Sequence, residues 1–276
     1  EFIESNSYIN KINVISAKKE LPAQQNWENG INACNTSRVL LLSDDDKVIF
    51  KGLDKLLKEE LFLNYDLFIG GHLIIDFKSK VIGKYKNKNK SYIQETLMRD
   101  FALRKIRHKL CSIIWNKNLI LDFNVFSSKY PSNGICLDGA IILAASINNK
   151  IFCSENIISS YRVHPNNDCR DGDTKKFLVG REIFHNYGNK IIKENKNAYY
   201  WFILWNIYGG IIQAFLSIFR LKELKTATKL LQDTAHLQKS IEKTIKNADF
   251  KCLSGLILMS CYFFIKLITF NRKDYE

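Results

Sequence analysis

Three consecutive carboxylates, Asp44-Asp45-Asp46, follow the apolar run Val39-Leu40-Leu41-Leu42 and a single Ser43. The chain otherwise carries a net charge of +13. Adjacent acids repel one another and raise at least one pKa unless something neutralises them. A divalent cation does so, because Mg²⁺ or Mn²⁺ takes carboxylate oxygens and often shares them with the phosphates of a substrate. The chemistry on offer is therefore neutralisation of a phosphate-bearing group. The alternative is a solvated turn in which one Asp caps the helix that follows.

The elements that must hold this triplet can be read from the spacing of apolar residues. Val39–Leu42 is too short for a helix and is expected to be a strand buried on both faces. At the carboxyl edge of a parallel sheet it would present the acids where ligands of open α/β folds collect. Ile12–Ser16 is expected as a strand, and Pro22 opens a helix over Gln24–Ala33. Leu53–Leu63 has helical spacing. Strands are expected at Asp66–Phe77 and Val81–Tyr85, joined by a Lys78-Ser79-Lys80 turn, and at Cys111–Trp115, Ile151–Ser154 and Ile157–Val163. A helix is expected over Gly139–Ile147. Lys86–Lys90 reads as a solvated loop, the cluster Arg104–Lys109 as a solvated basic face, with phosphates or lipid headgroups as its alternative partners, and Trp27 and Trp115 as core aromatics. Gly70-Gly71-His72 marks a strand irregularity. Strand, helix, strand in this order predicts an α/β layer fold with a mostly parallel sheet.

Composition narrows the function classes. Of 276 residues, 46% are hydrophobic and 25% charged, which excludes a disordered or fibrous chain. The positive balance suits an anionic partner: nucleic acid, an acidic membrane surface or a phosphorylated small molecule. Seven scattered cysteines with no Cys-x-x-Cys pair indicate neither a zinc knuckle nor a disulfide framework, and point to a reducing compartment. The chain begins Glu-Phe without a signal peptide and is expected to be part of something longer. Helical periodicity takes over after about Asp173, dividing the chain into an α/β domain over residues 1–172 and a helical region over 173–276. Within the latter, Ala198–Phe219 has no charged residue and is long enough, at ~1.5 Å per residue, to cross a bilayer core of ~30 Å. Its aromatics crowd one end as interfacial anchors do. The expected mode is peripheral, with lysine-flanked helices resting on anionic lipid.

Three motifs in order carry a family resemblance. Asn26-Trp27-Glu28-Asn29-Gly30-Ile31, then Cys34, then Arg38 through Asp46, resembles the central block of family 2 glycosyltransferases with the GT-A fold. In that family a helical Asn-Gly-Ile-like turn precedes a small residue, a buried strand and the Asp-x-Asp motif that binds metal and nucleotide sugar. Cys136-Leu137-Asp138-Gly139-Ala140 looks like the family's acidic pair, with Leu137 where the family has Glu. Ser160-Tyr161-Arg162-Val163-His164-Pro165 is similar to its Tyr-Arg-x-His ending. The resemblance covers roughly residues 12–167. The family's opening strand and nucleotide-base site are not recognisable before Ile12, so the N-terminal part is expected to be truncated.

The resemblance implies a GT-A-like, Rossmann-type domain that transfers sugar from a nucleotide-sugar donor to a saccharide or lipid-linked acceptor, with inversion. It implies Mn²⁺ or Mg²⁺ held by Asp45 and His164. Asp44 and Asp46 would bind the metal through water or touch sugar and ribose, and Arg162 would pair with phosphate oxygens. Asp138 would be the catalytic base; its alternative role is a helix N-cap. The implied setting is bacterial surface-polysaccharide assembly, cytoplasmic and peripheral on the inner face of the cell membrane, with no nucleic-acid partner. Two rival classes remain. One is a nucleic-acid-binding basic protein, suggested by the charge but opposed by the acidic triplet. The other is a non-catalytic membrane-associated protein on a degenerate transferase fold.

Overall fold

The computed structural model describes residues 14–58, 64–126, 136–164, 174–192 and 194–206. The elements run α1 (Ala23–Ala33), β1 (Arg38–Leu40), β2 (Lys47–Val48), α2 (Phe50–Leu57), β3 (Leu67–Ile75), β4 (Val81–Tyr85), β5 (Lys90–Tyr92), α3 (Gln94–Ala102), a 3-10 turn (Leu110–Ser112), β6 (Ile113–Asn116), α4 (Lys117–Asp122), α5 (Leu137–Ala145), β7 (Ile151–Arg162) and α6 (Thr174–Ile192). A further helix, α7, spans 196–206.

The strands form one mixed sheet in the order β1-β6-β3-β7-β2, with β4 on β3 and β5 on β7. Its centre is the long parallel pair β3 and β7. Each of these is flanked by two short strands. β6 and β4 take the first and second halves of β3, and β5 and β2 those of β7. The protein is thus mixed α/β, but the mostly parallel sheet is corrected: β3 with β7 is the one parallel pairing of the six described. A short connection explains one of the antiparallel pairs. β3 turns straight back into β4 through residues 76–80, and a tight turn can join only antiparallel strands. β7 runs parallel to β3 because helices intervene, α5 directly before it.

Other expectations shift in the same way. Val14–Ser16 is not in a strand, and Ile12 lies outside the described residues. The run at Val39 is not a central strand: β1 pairs with β6 alone among the described strands, and Leu42 is exposed. The strands expected at 151–154 and 157–163 are one strand, β7. Its register against β3 slips at Gly70 and Gly71, the irregularity expected beside His72. A Cβ on Gly71 would lie 2.7 Å from the Tyr85 carbonyl oxygen, so glycine lets the backbones close there. The loop 86–90 is not simply solvated, because Asn87 is buried. Its side-chain amide donates to the carbonyls of Ile69, Gly70 and Arg107, and its oxygen accepts the Arg107 N–H.

Alternation sorts the core onto two faces. Leu67, Ile69, Ile113, Trp115, Ile151 and Cys153 meet α1 and α3–α7 on one side. Phe68, Ile114, Phe152 and Ile158 meet Leu56 of α2 on the other. Helix α5 is buried along almost its whole length, as an all-round apolar helix must be. Phe184 and Ile192 of α6 and Ala198, Phe202 and Ile203 of α7 join the same core. The two described helices after residue 173, α6 and α7, therefore pack as part of this core. Trp205 stacks on Phe101 at 4.9 Å, so the aromatic start of the charge-free run is anchored in protein. Residues 207–219 of that run lie outside the described residues. No helix among the described residues is long and apolar enough to cross a membrane.

Gly52 shows how closely α2 lies on β7. A Cβ there would fall 1.8 Å from the Ile157 carbonyl oxygen. Gly52→Ala is expected to destabilise by about 1–3 kcal/mol despite the better helix propensity of alanine. A lowered urea midpoint with unchanged slope is the expected reading. A raised midpoint would show that α2 has room to move.

Candidate active site

The acidic triplet lies in the turn between β1 and β2, closed by the Asp46 N–H on the Ser43 carbonyl. It is not carried on a parallel strand, yet it arrives beside the carboxyl ends of the two that are parallel. β2 pairs with the far half of β7, and Arg162 at the end of β7 ties the parts together. The Arg162 N–H donates to Asp46 Oδ1 at 2.9 Å and its Nε to the Asp45 carbonyl at 2.8 Å. Its Nη1 donates to the carbonyls of Asp76 and Phe77 and to Ser79 Oγ just beyond β3. The residue expected on phosphate is thus placed as a bracket between two loops.

The three acids have different surroundings. Asp44 is exposed. Asp45 Oδ2 accepts a bond from His164 Nε2 at 2.9 Å, both side chains being half-buried. Asp46 is pushed above the ordinary carboxylate range by burial, an effect the Arg162 amide and the Cys111 thiol partly offset. Cys111 itself is driven to about 12 by burial and by the Asp46 charge beside it. It is therefore a thiol at neutral pH and no nucleophile.

Asp138 stands in the first turn of α5, where a carboxylate favours the helix dipole. Cys136, not Asp138, occupies the N-cap, in a left-handed conformation with φ 57°. Asp138 Oδ1 accepts the Gly139 N–H at 2.8 Å, and Oδ2 accepts from His108 Nε2 at 3.1 Å. Burial works against its charge. The charge and hydrogen bond of His108, the Gly139 amide and the Lys109 charge outweigh it and hold the carboxyl at about 2. The Asp138 side chain keeps 33% of its surface exposed, so the carboxylate is fixed yet open to a reactant.

His108 and Lys109 are the residues that the sequence reading assigned to solvent. The His108 side chain is only 15% exposed, held edge-on against Phe101 and Trp205. The Lys109 ammonium sits 4.1 Å over the Tyr161 ring and acts on both Asp46 and Asp138. The segment before the 3-10 turn therefore supplies positive charge to both Asp46 and Asp138. The one sequence signal for this was its position directly before a predicted strand.

A divalent ion can be tested against these donors. Among the described residues no three His, Cys, Asp or Glu side chains are grouped as a self-contained cage. Asp45 and His164 stand side by side, while Asp46 is engaged by Arg162 and Cys111. Such a pair fits an ion that draws its remaining ligands from water and substrate phosphates, the usual habit of Mg²⁺. It does not fit a closed structural site.

Arg162 offers a direct test of the bracket. Arg162→Met removes bonds to both loops and is expected to cost about 2 kcal/mol, since the guanidinium is partly solvated. In a chain of this size that lowers Tm by about 4–8 °C. Arg162→Lys is expected to restore little, because an ammonium cannot span acceptors set for a planar fork. Full recovery by lysine would mean that charge, not geometry, holds the turn.

Compared with known proteins, the chain matches no protein-family model, and no curated protein matches it.

Proposed function

We propose that the protein is a nucleotide-sugar-dependent glycosyltransferase acting on a saccharide or lipid-linked acceptor. The observation that carries this reading is the disposition of acids around Lys109. The Lys109 charge acts on Asp46, which Arg162 binds next to the Asp45–His164 pair, and on Asp138, which is paired with His108. The likeness to family 2 glycosyltransferases in the motifs at 26–46, 136–140 and 160–165 supports the same assignment.

In this reading the acceptor oxygen attacks the anomeric carbon while the bond from that carbon to the donor diphosphate breaks. The bonding pair leaves on the diphosphate, and the acceptor proton passes to Asp138. A single displacement of this kind inverts the anomeric centre. Asp138 is ionised at neutral pH, the form a general base requires, and its place near 2 makes it a weak one that takes the proton only as the new bond forms. A Mn²⁺ or Mg²⁺ ion held by Asp45 and His164 would neutralise charge on the leaving diphosphate. Lys109 adds a fixed positive charge beside it, and Arg162 fixes the turn that presents Asp45. Asp44, the exposed acid, is left to touch sugar or ribose.

The proposal extends to setting. Surface-polysaccharide assembly on the inner face of the cell membrane suits a basic chain whose acceptor is lipid-linked. Calorimetric titration of a panel of nucleotide sugars, each with and without Mn²⁺ or Mg²⁺, tests the activity class. Metal-dependent binding of at least one donor is the expected result. Binding of none, with retained affinity for single-stranded nucleic acid, would overturn the reading in favour of the basic nucleic-acid-binding alternative. Binding of neither would favour the non-catalytic one.

A further inference from the structure

We propose that the tip of the β3–β4 hairpin is a membrane-inserting wedge for an anionic lipid bilayer. Three apolar side chains there point into solvent: Phe77 is 67% exposed, Val81 51% and Ile82 50%. Val81 and Ile82 sit at a slip in the β3–β4 register, where Ile75 pairs with Val81 and Ile74 with Gly83, leaving Ile82 as the extra, bulged residue. With Phe77 in the turn, the three exposed apolar side chains are gathered at the end of the hairpin. Such a tip suits edgewise entry into an apolar layer.

Charge chooses the partner. Lys78, Lys80, Lys84, Lys86 and Lys88 are all exposed along the tip, β4 and the loop after it, and Lys47 joins them with its ammonium 3.0 Å from Ser79 Oγ. The one acid in this stretch, Asp76, is turned inward, its Oδ1 accepting the N–H groups of Lys78 and Lys80. Apolar residues at the tip ringed by lysines match the acyl and headgroup layers of a bilayer bearing anionic lipid. A nucleic-acid site would instead need a series of stacking platforms, and Phe77 is the one exposed aromatic among the three apolar tip residues, Val81 and Ile82 being aliphatic.

Rigidity separates this tip from an ordinary solvent loop. Besides the two bonds to Asp76 Oδ1, the Asp76 N–H donates to the Lys80 carbonyl and the Ser79 N–H to the Asp76 carbonyl. Arg162 binds the carbonyls of Asp76 and Phe77. Phe77 is thus held outward in advance, so little conformational freedom remains to be lost on insertion. The same Arg162 holds the Asp45 carbonyl, which puts the candidate active site at the bilayer surface. That last step, delivery of a lipid-linked acceptor, rests on the transferase reading; the lipid contact does not.

The test uses the full chain without donor or metal. Flotation with mixed phosphatidylglycerol–phosphatidylcholine vesicles is compared with flotation on pure phosphatidylcholine. Binding to the anionic vesicles is expected, with Phe77→Ser and the pair Lys78→Glu and Lys80→Glu each weakening it roughly tenfold. Phe77→Trp is expected to show additional tryptophan fluorescence quenched by brominated acyl chains. All these side chains are exposed, so melting temperatures should match the parent. No binding by the parent, equal binding by the variants, or an unquenched tryptophan at 77 overturns the proposal. So does loss of single-stranded RNA binding or of self-association in these variants without loss of vesicle binding. Metal-dependent donor affinity, measured on the same variants, is expected to be unchanged. Its absence in the parent would count against the transferase reading alone.

Discussion

Asp138→Asn is expected to lower transfer turnover by about 10²- to 10⁴-fold, the usual contribution of a general base, with donor affinity nearly unchanged. The geometry makes the substitution clean. Asparagine keeps one oxygen, for His108 Nε2 or for the Gly139 N–H but not for both, and the N-cap of α5 belongs to Cys136. The fold should therefore survive while the proton acceptor is lost. A purely structural Asp138 predicts full activity in the variant, and a fully active enzyme would falsify the catalytic assignment. Acid titration supplies a second reading. The folded carboxyl lies near 2, below its ordinary 3.8. Its contribution to stability is thus present above about pH 4 and lost as the pH falls toward 2. The difference in Tm between parent and Asp138→Asn is expected to shrink over that interval and to be constant from pH 5 to 7. A difference that grows on acidification would reverse the assigned sign.

Asp45→Asn is expected to abolish metal-dependent donor binding. Loss of even an outer-shell partner costs about 10- to 100-fold in metal affinity, and Asp45 supplies the carboxylate itself. Stability should change by no more than about 1 kcal/mol, because its bond to His164 is partly solvated. Asp44→Asn, at an exposed position, provides the comparison and should retain affinity to within a few-fold. The measurement is calorimetric titration of donor with Mn²⁺ against parent and both variants. Unchanged affinity in Asp45→Asn would remove the triplet from the active site.

Local chemistry was legible from residues alone. Pro22 at the head of α1, the apolar run that becomes α5, the Lys78–Lys80 turn of the hairpin and the glycine irregularity before His72 are all short-range matters. Propensity and spacing govern them within a few positions. Asp44–Asp46, Asp138, Arg162 and His164 stood out for the same reason, since each sits at the end of a recognisable apolar element. The pairs Asp45 with His164 and Asp46 with Arg162 even meet across the fold.

Pairing direction was a different matter. Alternating apolar residues assign a strand two faces but name no neighbour, so a buried-looking Val39 run turned out to be an edge strand in a mixed sheet. Nor could the charge run at 104–109 declare itself. A basic segment is solvated unless distant groups cover it, and here Phe101 and Trp205, far apart in sequence, close over His108. That Arg162 also braces two loops was not legible, because its acceptors are backbone carbonyls of remote turns. A sequence can specify which side chains carry charge and which stretches repeat with a period. Whether a given charge meets solvent, substrate or another loop depends on chain segments a hundred residues away, and only packing brings those together.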